Sequence, residues 1–351
     1  VTNTKIQNNY IGVKATGTAA IGGPGDGSDM GIELQETSDG TQVLQNLISG
    51  HTVYAIRTNG ADNVVFQGNY VGTNAAGTGA IANDGLIGRV VMFDSSSTNF
   101  TIGGTDINNG TTRNLISGNG TGTALKIDGS STGTVQGNYI GLKADGTAVL
   151  ANQATNVQTS SSGAVTVQNN VISGGAEGIY LDGTGVTTVT GNYIGTNSAG
   201  TAAIGNNNEG IRLETGGHII TNNVISGNGA GGGQGGIRML INAFSNVTIK
   251  GNKIGTKADG TGSLANSGDG INLGANITNI TIGGTGTSEG NIIANNTGWG
   301  INLSDSTNDL IKIRANVVGN NGNGNITFAS GANSSISSSA TVITTVNTNS
   351  L

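Results

Sequence analysis

The chain has 351 residues, with 64 glycines, one proline, no cysteine and 3% aromatic residues. Lysine and arginine together number 14 against 20 acidic residues, giving a net charge of −6, and no basic run is present to bind a phosphate backbone. This composition excludes disulfides, thiol catalysis, cysteine-ligated zinc and collagen, and it argues against nucleic-acid binding and a membrane span.

The predicted strands recur along the chain at intervals of about 29 residues. Each copy opens with a strand of the Gly-Ile-x-Leu type, in which inner apolar residues alternate with an outer residue. One inner residue marks each copy: Ile32, Ile56, Val91, Leu125, Val157, Ile179, Ile211, Ile237, Ile271, Ile301 and Ile326. Hairpins and strand–helix–strand units do not fit this spacing, whereas a coil that stacks each strand on its predecessor does. The sequence therefore predicts an all-β fold, a single right-handed parallel β-helix of about 11 coils.

A second strand in most copies ends in asparagine at a bend. Its predicted inward residues are Val43, Val65, Ile102, Val135, Val167, Val189, Ile220, Ile249, Ile282 and Ile313. The bend asparagines are Asn46, Asn69, Asn138, Asn170, Asn192, Asn223, Asn252 and Asn316. Asparagine tolerates the left-handed backbone of a sharp turn, and its amide can bond to the equivalent amides in adjacent coils. We predict a structural asparagine ladder at this turn.

Longer loops follow on alternate coils, at 72–78, 141–147, 195–201 and 255–261. Their Gly-Thr pair is constant and their acidic residue is not, which indicates turn chemistry rather than a metal site. The tyrosines that follow ladder positions on alternate coils are Tyr10, Tyr70, Tyr139 and Tyr193. These rings form an outward row that covers the loops or, alternatively, stacks on sugars.

Two segments are predicted along the chain. Residues 1–333 form the β-helix, and residues 334–351 form a Ser/Thr-rich tail. The β-prone stretch 340–346 in this tail predicts one further strand, acting as a cap or as a strand added to another subunit.

The motifs Asn-x-Ile-Gly-Thr, Asp-Gly-Thr, Asn-x-Ile-Ser-Gly-Asn and Gly-Ile resemble those of bacterial right-handed parallel β-helix repeat proteins. The resemblance extends from Lys5 to about Phe328. It implies the architecture of the pectate-lyase-like superfamily, which includes polysaccharide lyases, hydrolases and epimerases together with adhesins and fibres. The fold alone does not select among these activities. The non-catalytic surface and adhesin members are the nearest resemblance, since no Asp-Asp pair is present.

Charged residues on the outer positions of the Gly-Ile strands offer a catalytic alternative. Stacking is expected to bring Asp94 beside Asp128 in one place and Asp182 beside Glu214 in another. A lyase would use Arg212 or Lys126 as its base, with the acids holding Ca²⁺. The competing interpretation is that these charges form ion pairs that keep an exposed sheet soluble. His51 and His218 lie in different coils, so a histidine-based triad is excluded and both are expected at the surface.

The sequence as a whole favours a structural or adhesive protein with no catalytic, cofactor or metal residue. The predicted partner is a second copy in a head-to-tail fibre or surface layer, or the remainder of a larger surface protein. The predicted location is extracellular or on the cell surface, after secretion by a bacterium. Polysaccharide binding or cleavage is the alternative function, and it leaves enzymatic activity open.

Overall fold

The computed structural model describes residues 2–21, 30–84, 88–232, 235–240 and 243–332, which contain 33 strands. These residues form no helix, and so none that is long and apolar enough to cross a membrane. The predicted tail 334–351, with its strand 340–346, lies outside the described residues.

The chain divides into two compact units, Val1–Ala176 and Glu177–Leu351. In the first unit every third strand belongs to the same parallel sheet. Sheet 1 contains β1 Lys5–Gln7, β4 Gln42–Leu44, β7 Val65–Gln67, β10 Phe100–Ile102, β13 Gly133–Gln136 and β16 Val165–Gln168. Sheet 2 contains β2 Tyr10–Ile11, β5 Leu47–Ile48, β8 Tyr70–Val71, β11 Leu115–Ile116, β14 Tyr139–Ile140 and β17 Val171–Ile172. Sheet 3 contains β3 Met30–Gln35, β6 Tyr54–Asn59, β9 Arg89–Asp94, β12 Thr123–Ile127 and β15 Val157–Thr159.

The second unit has the same order of strands. Its sheet 1 strands are β19 Thr187–Thr190, β22 Ile219–Thr221, β25 Thr248–Lys250, β28 Thr281–Gly283 and β31 Lys312–Arg314. Its sheet 2 strands are β20 Tyr193–Ile194, β23 Val224–Ile225, β26 Lys253–Ile254, β29 Ile292–Ala294 and β32 Val317–Gly319. Its sheet 3 strands are β18 Ile179–Leu181, β21 Ile211–Leu213, β24 Gly235–Met239, β27 Asp269–Leu273, β30 Trp299–Leu303 and β33 Gly324–Phe328. Counted over both units, each sheet position is occupied by 11 strands. The predicted parallel β-helix of about 11 coils is confirmed.

The core of each unit lies inside the coils. The sheet 3 markers Ile56 and Ile271 are fully buried, and so are Val135 and Ile249 in sheet 1. One predicted inward residue is wrong, because Val43 pairs with Phe66 rather than with Val65, and Phe66 is fully buried. In the other copies without an inserted segment the inward residue lies three positions before the ladder asparagine, and that spacing also selects Phe66.

The predicted asparagine ladder is confirmed at the bend between sheets 1 and 2. The backbone N–H and the Nδ2 of Asn46 both donate to Asn69 Oδ1, at 2.9 and 3.1 Å, and Asn46 Nδ2 also donates to the Ile6 carbonyl. The members joined by such bonds in the first unit are Asn9, Asn46, Asn69, Asn114, Asn138 and Asn170. Those in the second unit are Asn192, Asn223, Asn252, Asn291 and Asn316. Burial is possible because each amide finds partners in neighbouring coils.

The left-handed residue at this bend is not the ladder asparagine, contrary to the expectation from sequence. It is the residue before it: Gln45 has a φ of 55° and Asn222 a φ of 58°, and Gly68 occupies the same position with 68°. The division has a physical reason. The preceding residue makes the turn, and the asparagine keeps an ordinary backbone that aligns its amide with the next coil.

A second asparagine ladder, which was not predicted from the sequence, lies at the bend between sheets 2 and 3. Asn119 Nδ2 donates to Asn152 Oδ1 at 2.9 Å, and its backbone N–H donates to the same oxygen at 3.1 Å. The members in the first unit are Asn83, Asn119, Asn152 and Asn156. Those in the second unit are Asn206, Asn228, Asn266, Asn296 and Asn321.

The long loops are present on alternate coils and are closed by single antiparallel bridges, such as Thr73 to Ala80 and Thr256 to Ser263. The first loop, closed by the bridge of Val13 to Ala20, was not predicted from the sequence. Loops two coils apart touch each other. The N–H of Ala75 donates to the Gly17 carbonyl at 2.9 Å. The loops therefore form a stack of their own with a period of two coils.

Candidate functional site on the outer face of sheet 3

Most of the predicted site residues lie on, or directly beside, one row of outward-facing positions in sheet 3 of each unit. The register of the strands stacks Glu33, Arg57, Met92, Lys126 and Gln158 in the first unit. It stacks Tyr180, Arg212, Arg238, Asn272 and Asn302 in the second unit. We call these positions, together with the charged side chains that contact them, the outer strip of each unit.

In the first unit Asp94 and Asp128 lie in adjacent coils, since the Asp128 N–H donates to the Phe93 carbonyl at 2.8 Å. Arg57 donates to Asp94 Oδ2 from Nε at 3.2 Å and from Nη2 at 3.0 Å. Lys126 Nζ lies 2.9 Å from Asp128 Oδ2. The two carboxylates are thus each held by a cation of the same strip.

In the second unit Asp182 and Glu214 also follow adjacent strands, because the Glu214 N–H donates to the Leu181 carbonyl at 2.9 Å. Arg212 bonds to Glu214 and lies 3.7 Å from Glu177, and its guanidinium carbon lies 4.7 Å from the centre of the Tyr180 ring. The guanidinium is therefore fixed between two acids and an aromatic ring.

The protonation states of these groups do not match the roles required of a base and an acid. Burial lowers the pKa of Arg212, but the hydrogen bond and charge of Glu214 outweigh it, so the pKa is raised. Burial raises the pKa of Glu214, but its bonds with Tyr180 and Arg212 bring it below the ordinary value. For Asp128, bonds from Lys126 and the Gly129 N–H likewise outweigh burial and lower the pKa. A carboxyl group that acts as a general acid needs a raised pKa, and an arginine that acts as a base needs a lowered one. The shifts found here are in the opposite directions, so this arrangement favours ion pairing over catalysis.

Two further networks of the second unit were not predicted from the sequence, because their acids, Glu209 and Asp269, lie before or at the start of the strand. Glu209, a buried side chain, accepts from Arg238 Nη1 at 2.9 Å. Asp269 Oδ2 accepts from the side-chain amides of Asn272 and Asn302, at 2.7 and 2.8 Å. Asp269 Oδ1 accepts from the backbone N–H of Trp299 at 2.7 Å. An acid three residues before the outer position of its strand is the signal that could have located them.

Within the described part of the chain no three His, Asp or Glu side chains come together as a metal-binding cluster. The Ca²⁺ of the lyase alternative remains a prediction. The adjacent-coil carboxylates of Asp94 and Asp128 are already bonded to Arg57 and Lys126.

Both histidines are buried, so the expectation of surface positions was wrong. His51 is 3% exposed, and His218 is fully buried. His218 Nδ1 accepts from the Thr187 N–H at 3.2 Å, and its Nε2 lies 2.9 Å from Thr215 Oγ1. Burial lowers the pKa of His218 to about 4. This imidazole is neutral at ordinary pH and serves as a bonded core group.

No family model matches the chain, and no curated protein matches it. Among solved structures, the chain is similar to the A-module of the Azotobacter vinelandii mannuronan C-5 epimerase AlgE4. The TM-score is 0.46 and the sequence identity 14%, over 93% of this chain and 88% of that chain. At this level of similarity a functional assignment depends on the chain's own geometry.

Proposed function

We propose that the chain is a non-catalytic polysaccharide-binding β-helix, and that the outer strip of the second unit is its binding surface. The observation that carries this proposal is the concentration of fixed planar groups there. The strip contains Tyr180, two guanidinium groups and two side-chain amides, and the chain's single tryptophan, Trp299, lies at its edge.

Sugar rings present apolar C–H faces and a rim of hydroxyl groups. Aromatic rings such as Tyr180 and Trp299 suit the faces, and guanidinium, amide and carboxylate groups suit the hydroxyls. Here the polar groups are held in place by one another, as Arg238 is by Glu209. A ligand that binds them pays little of the entropy of ordering long side chains. Adjacent strands lie about 4.8 Å apart, close to the length of one pyranose residue, so a glycan running across the strands meets one coil per sugar.

The charge of the strip favours a neutral polysaccharide over a polyuronate. Glu177, Glu209, Glu214 and Asp269 outnumber the two cations, Arg212 and Arg238. The whole chain also carries a net charge of −6. A polyanion would meet repulsion of the same sign.

The test is binding to a panel of neutral polysaccharides, such as glucans, mannans and xylan, beside pectin and alginate. We expect neutral glycans to bind by affinity electrophoresis and calorimetry, and the variants Trp299→Ala and Arg238→Ala to weaken binding by about tenfold. The control is Arg57→Ala, which changes the same kind of position in the first unit. Binding that survives both second-unit changes, or release of unsaturated products from pectin or alginate, would show the proposal to be wrong.

End-to-end association is a second candidate, supported by one contrast in sheet 3. Ile301 and Leu303 are fully buried in β30, whereas no residue of β33 is buried and Phe328 is 39% exposed. Exposed apolar side chains on β33, the last described strand of sheet 3, favour addition of another strand. Light scattering at high concentration should show assemblies that Phe328→Ser reduces, and a monomer at all concentrations contradicts this candidate. Both candidates keep the prediction of an extracellular or cell-surface location.

A further inference from the structure

A recess opens on the outer side of sheet 2 in the first unit, between tyrosines two coils apart. Leu47, in the coil without a long loop, pairs with Tyr10 on one side and with Tyr70 on the other. The ring of Tyr70 and the loop residue Ala75 close the recess, and Gln45 lies beside it. Its volume is about 180 Å³. This surface is separate from the outer strip of sheet 3, so a ligand bound in the recess does not depend on the polysaccharide proposal.

The same position recurs two coils later and is occupied by the chain's own arginine. Leu115 pairs there with Tyr139, and the guanidinium carbon of Arg113 lies 4.1 Å from the centre of the Tyr139 ring. Arg113 Nη2 donates to the carbonyl of the loop residue Ala144 at 3.0 Å. Because the Arg113 guanidinium covers its ring, Tyr139 is only 4% exposed.

A third copy, in the second unit, also places a cation on the loop carbonyl. Val224 forms its floor, and Lys253 stands where the first unit has tyrosine. Lys253 Nζ donates to the carbonyl of Ala258, the counterpart of Ala144. The recess there measures about 510 Å³ and extends onto the following coil, where Ser288 and Ile292 line it. At Ala144 and at Ala258 the loop carbonyl is therefore satisfied by a positively charged group of the chain itself.

The first copy has the ring and the carbonyl but not the cation. Gln45 takes the position of Arg113, directly before the ladder asparagine, and its Oε1 accepts from Gln7 Nε2 at 3.2 Å. Tyr70 is half-buried and Ala75 exposed, whereas their counterparts Tyr139 and Ala144 are buried and half-buried.

We propose that the recess of Tyr70 and Ala75 binds a guanidinium group, the head of an arginine side chain on a partner polypeptide. The geometry at Tyr139 shows the binding mode: the planar cation stacks on the ring and donates to the loop carbonyl. The occupant at Tyr139 is carried by a polypeptide segment, residues 104–113, that lies outside the strands. This is the reason for assigning a polypeptide source. The negative net charge of the chain favours the approach of a basic partner.

The test is a calorimetric and NMR titration of the full chain with N-acetylarginine methylamide. We expect one saturable site per chain, weakened by about tenfold in Tyr70→Leu. N-acetyllysine methylamide should bind about tenfold more weakly than the arginine compound, because an ammonium cannot stack as a plane. In Arg113→Ala the Tyr139 recess is vacated, so the number of sites should rise from one to two.

Thermal unfolding of each variant checks that it is folded. The affinity of Tyr70→Leu and the number of sites in Arg113→Ala are two independent results. Should Tyr70→Leu fail to fold, the number of sites in Arg113→Ala still decides the question. Unchanged affinity in folded Tyr70→Leu, a single site in Arg113→Ala, or equal binding of the lysine compound would overturn the proposal. A neutral polysaccharide that binds the outer strip should leave the titration unchanged, and so the two proposals can fail independently.

Discussion

The bends of the coils and the outer strips use polar side chains in opposite ways. At the bends the same amide recurs, and each asparagine finds its partner in the equivalent asparagine of the next coil, as Asn223 does in Asn252. Along the outer strip of the second unit the residue type changes from tyrosine to arginine to asparagine, and the polar side chains are held by acids rather than by their own equivalents. Arg212, for example, is held by Glu214, which follows its own strand, and by Glu177, which precedes the adjacent strand. A polar side chain whose partner is its own equivalent in the next coil belongs to the scaffold, and one that is held by a different kind of residue belongs to a candidate site.

The strongest test of this comparison is to break a ladder in its middle. Asn223→Leu removes the acceptor for the Asn192 backbone and side-chain N–H groups and the donor for the Val189 carbonyl. Because these buried groups are then left without partners, we expect a loss of about 4 kcal/mol in the free energy of unfolding. Urea-induced unfolding measures it. The matched control is Asn108→Leu at an exposed position; equal losses in the two variants would contradict the structural role of the ladder.

A second test uses the buried imidazole of His218. Its pKa is about 4 in the folded chain against an ordinary 6.5, so the unfolded chain binds the proton more tightly. The stabilisation is complete above pH 6.5 and is lost as the pH falls from 6.5 towards 4, by up to about 3 kcal/mol. Urea midpoints at pH 7.5 and pH 4.5 should differ more in the wild type than in His218→Gln. The prediction fails if the two proteins show the same dependence on pH.

The smallest effect is expected in the loop stack. Gly77 has a φ of 64°, and a Cβ there would lie 2.6 Å from the Cβ of Ala144 in the next loop. Gly77→Ala should therefore cost about 2 kcal/mol through backbone strain and contact with the next loop. Gly110→Ala is the control, since a Cβ at Gly110 meets no atom within 4 Å. Thermal unfolding of the two variants should separate them, and equal melting temperatures would mean that the loops do not support one another.

The fold could be predicted from the sequence because its signals repeat at nearly constant spacing within each coil. The first ladder was found in most copies where the inward residue lies three positions before the asparagine, although Asn9, three positions after Ile6, was not predicted. It was missed at Asn114 and Asn291, where inserted segments separate the asparagine from its strand. The second ladder was missed because Asn83 follows Val71 across a long loop, whereas Asn119 lies three residues after Ile116. Such residues become equivalent only when the coils are stacked.

The candidate site was predicted only in part, for a related reason. The outer positions follow from strand alternation, so Arg212 and Glu214 could be placed on one face. Glu177 is a further partner of Arg212, and Glu209 pairs with Arg238. Both contacts depend on the direction that the chain takes at the corner before the strand. The contact of Arg113 with Tyr139 depends on the path of an inserted segment. A short spacing can place the acids beside a strand, but it identifies neither the cation that they contact nor the ring that Arg113 covers.

The loop stack also sets the step in which this protein can change its length. Within each unit a long loop contacts the loop two coils away, since the Ala144 N–H donates to the Gly77 carbonyl and the Ala258 N–H donates to that of Gly200. Deleting or duplicating one coil can leave the strands of the three sheets paired. The long loops on either side of the change are then no longer two coils apart, so their contact is lost. A pair of coils, about 60 residues, can be added or removed with every loop contact restored. The smallest change in length that keeps the loop contacts is therefore two coils rather than one.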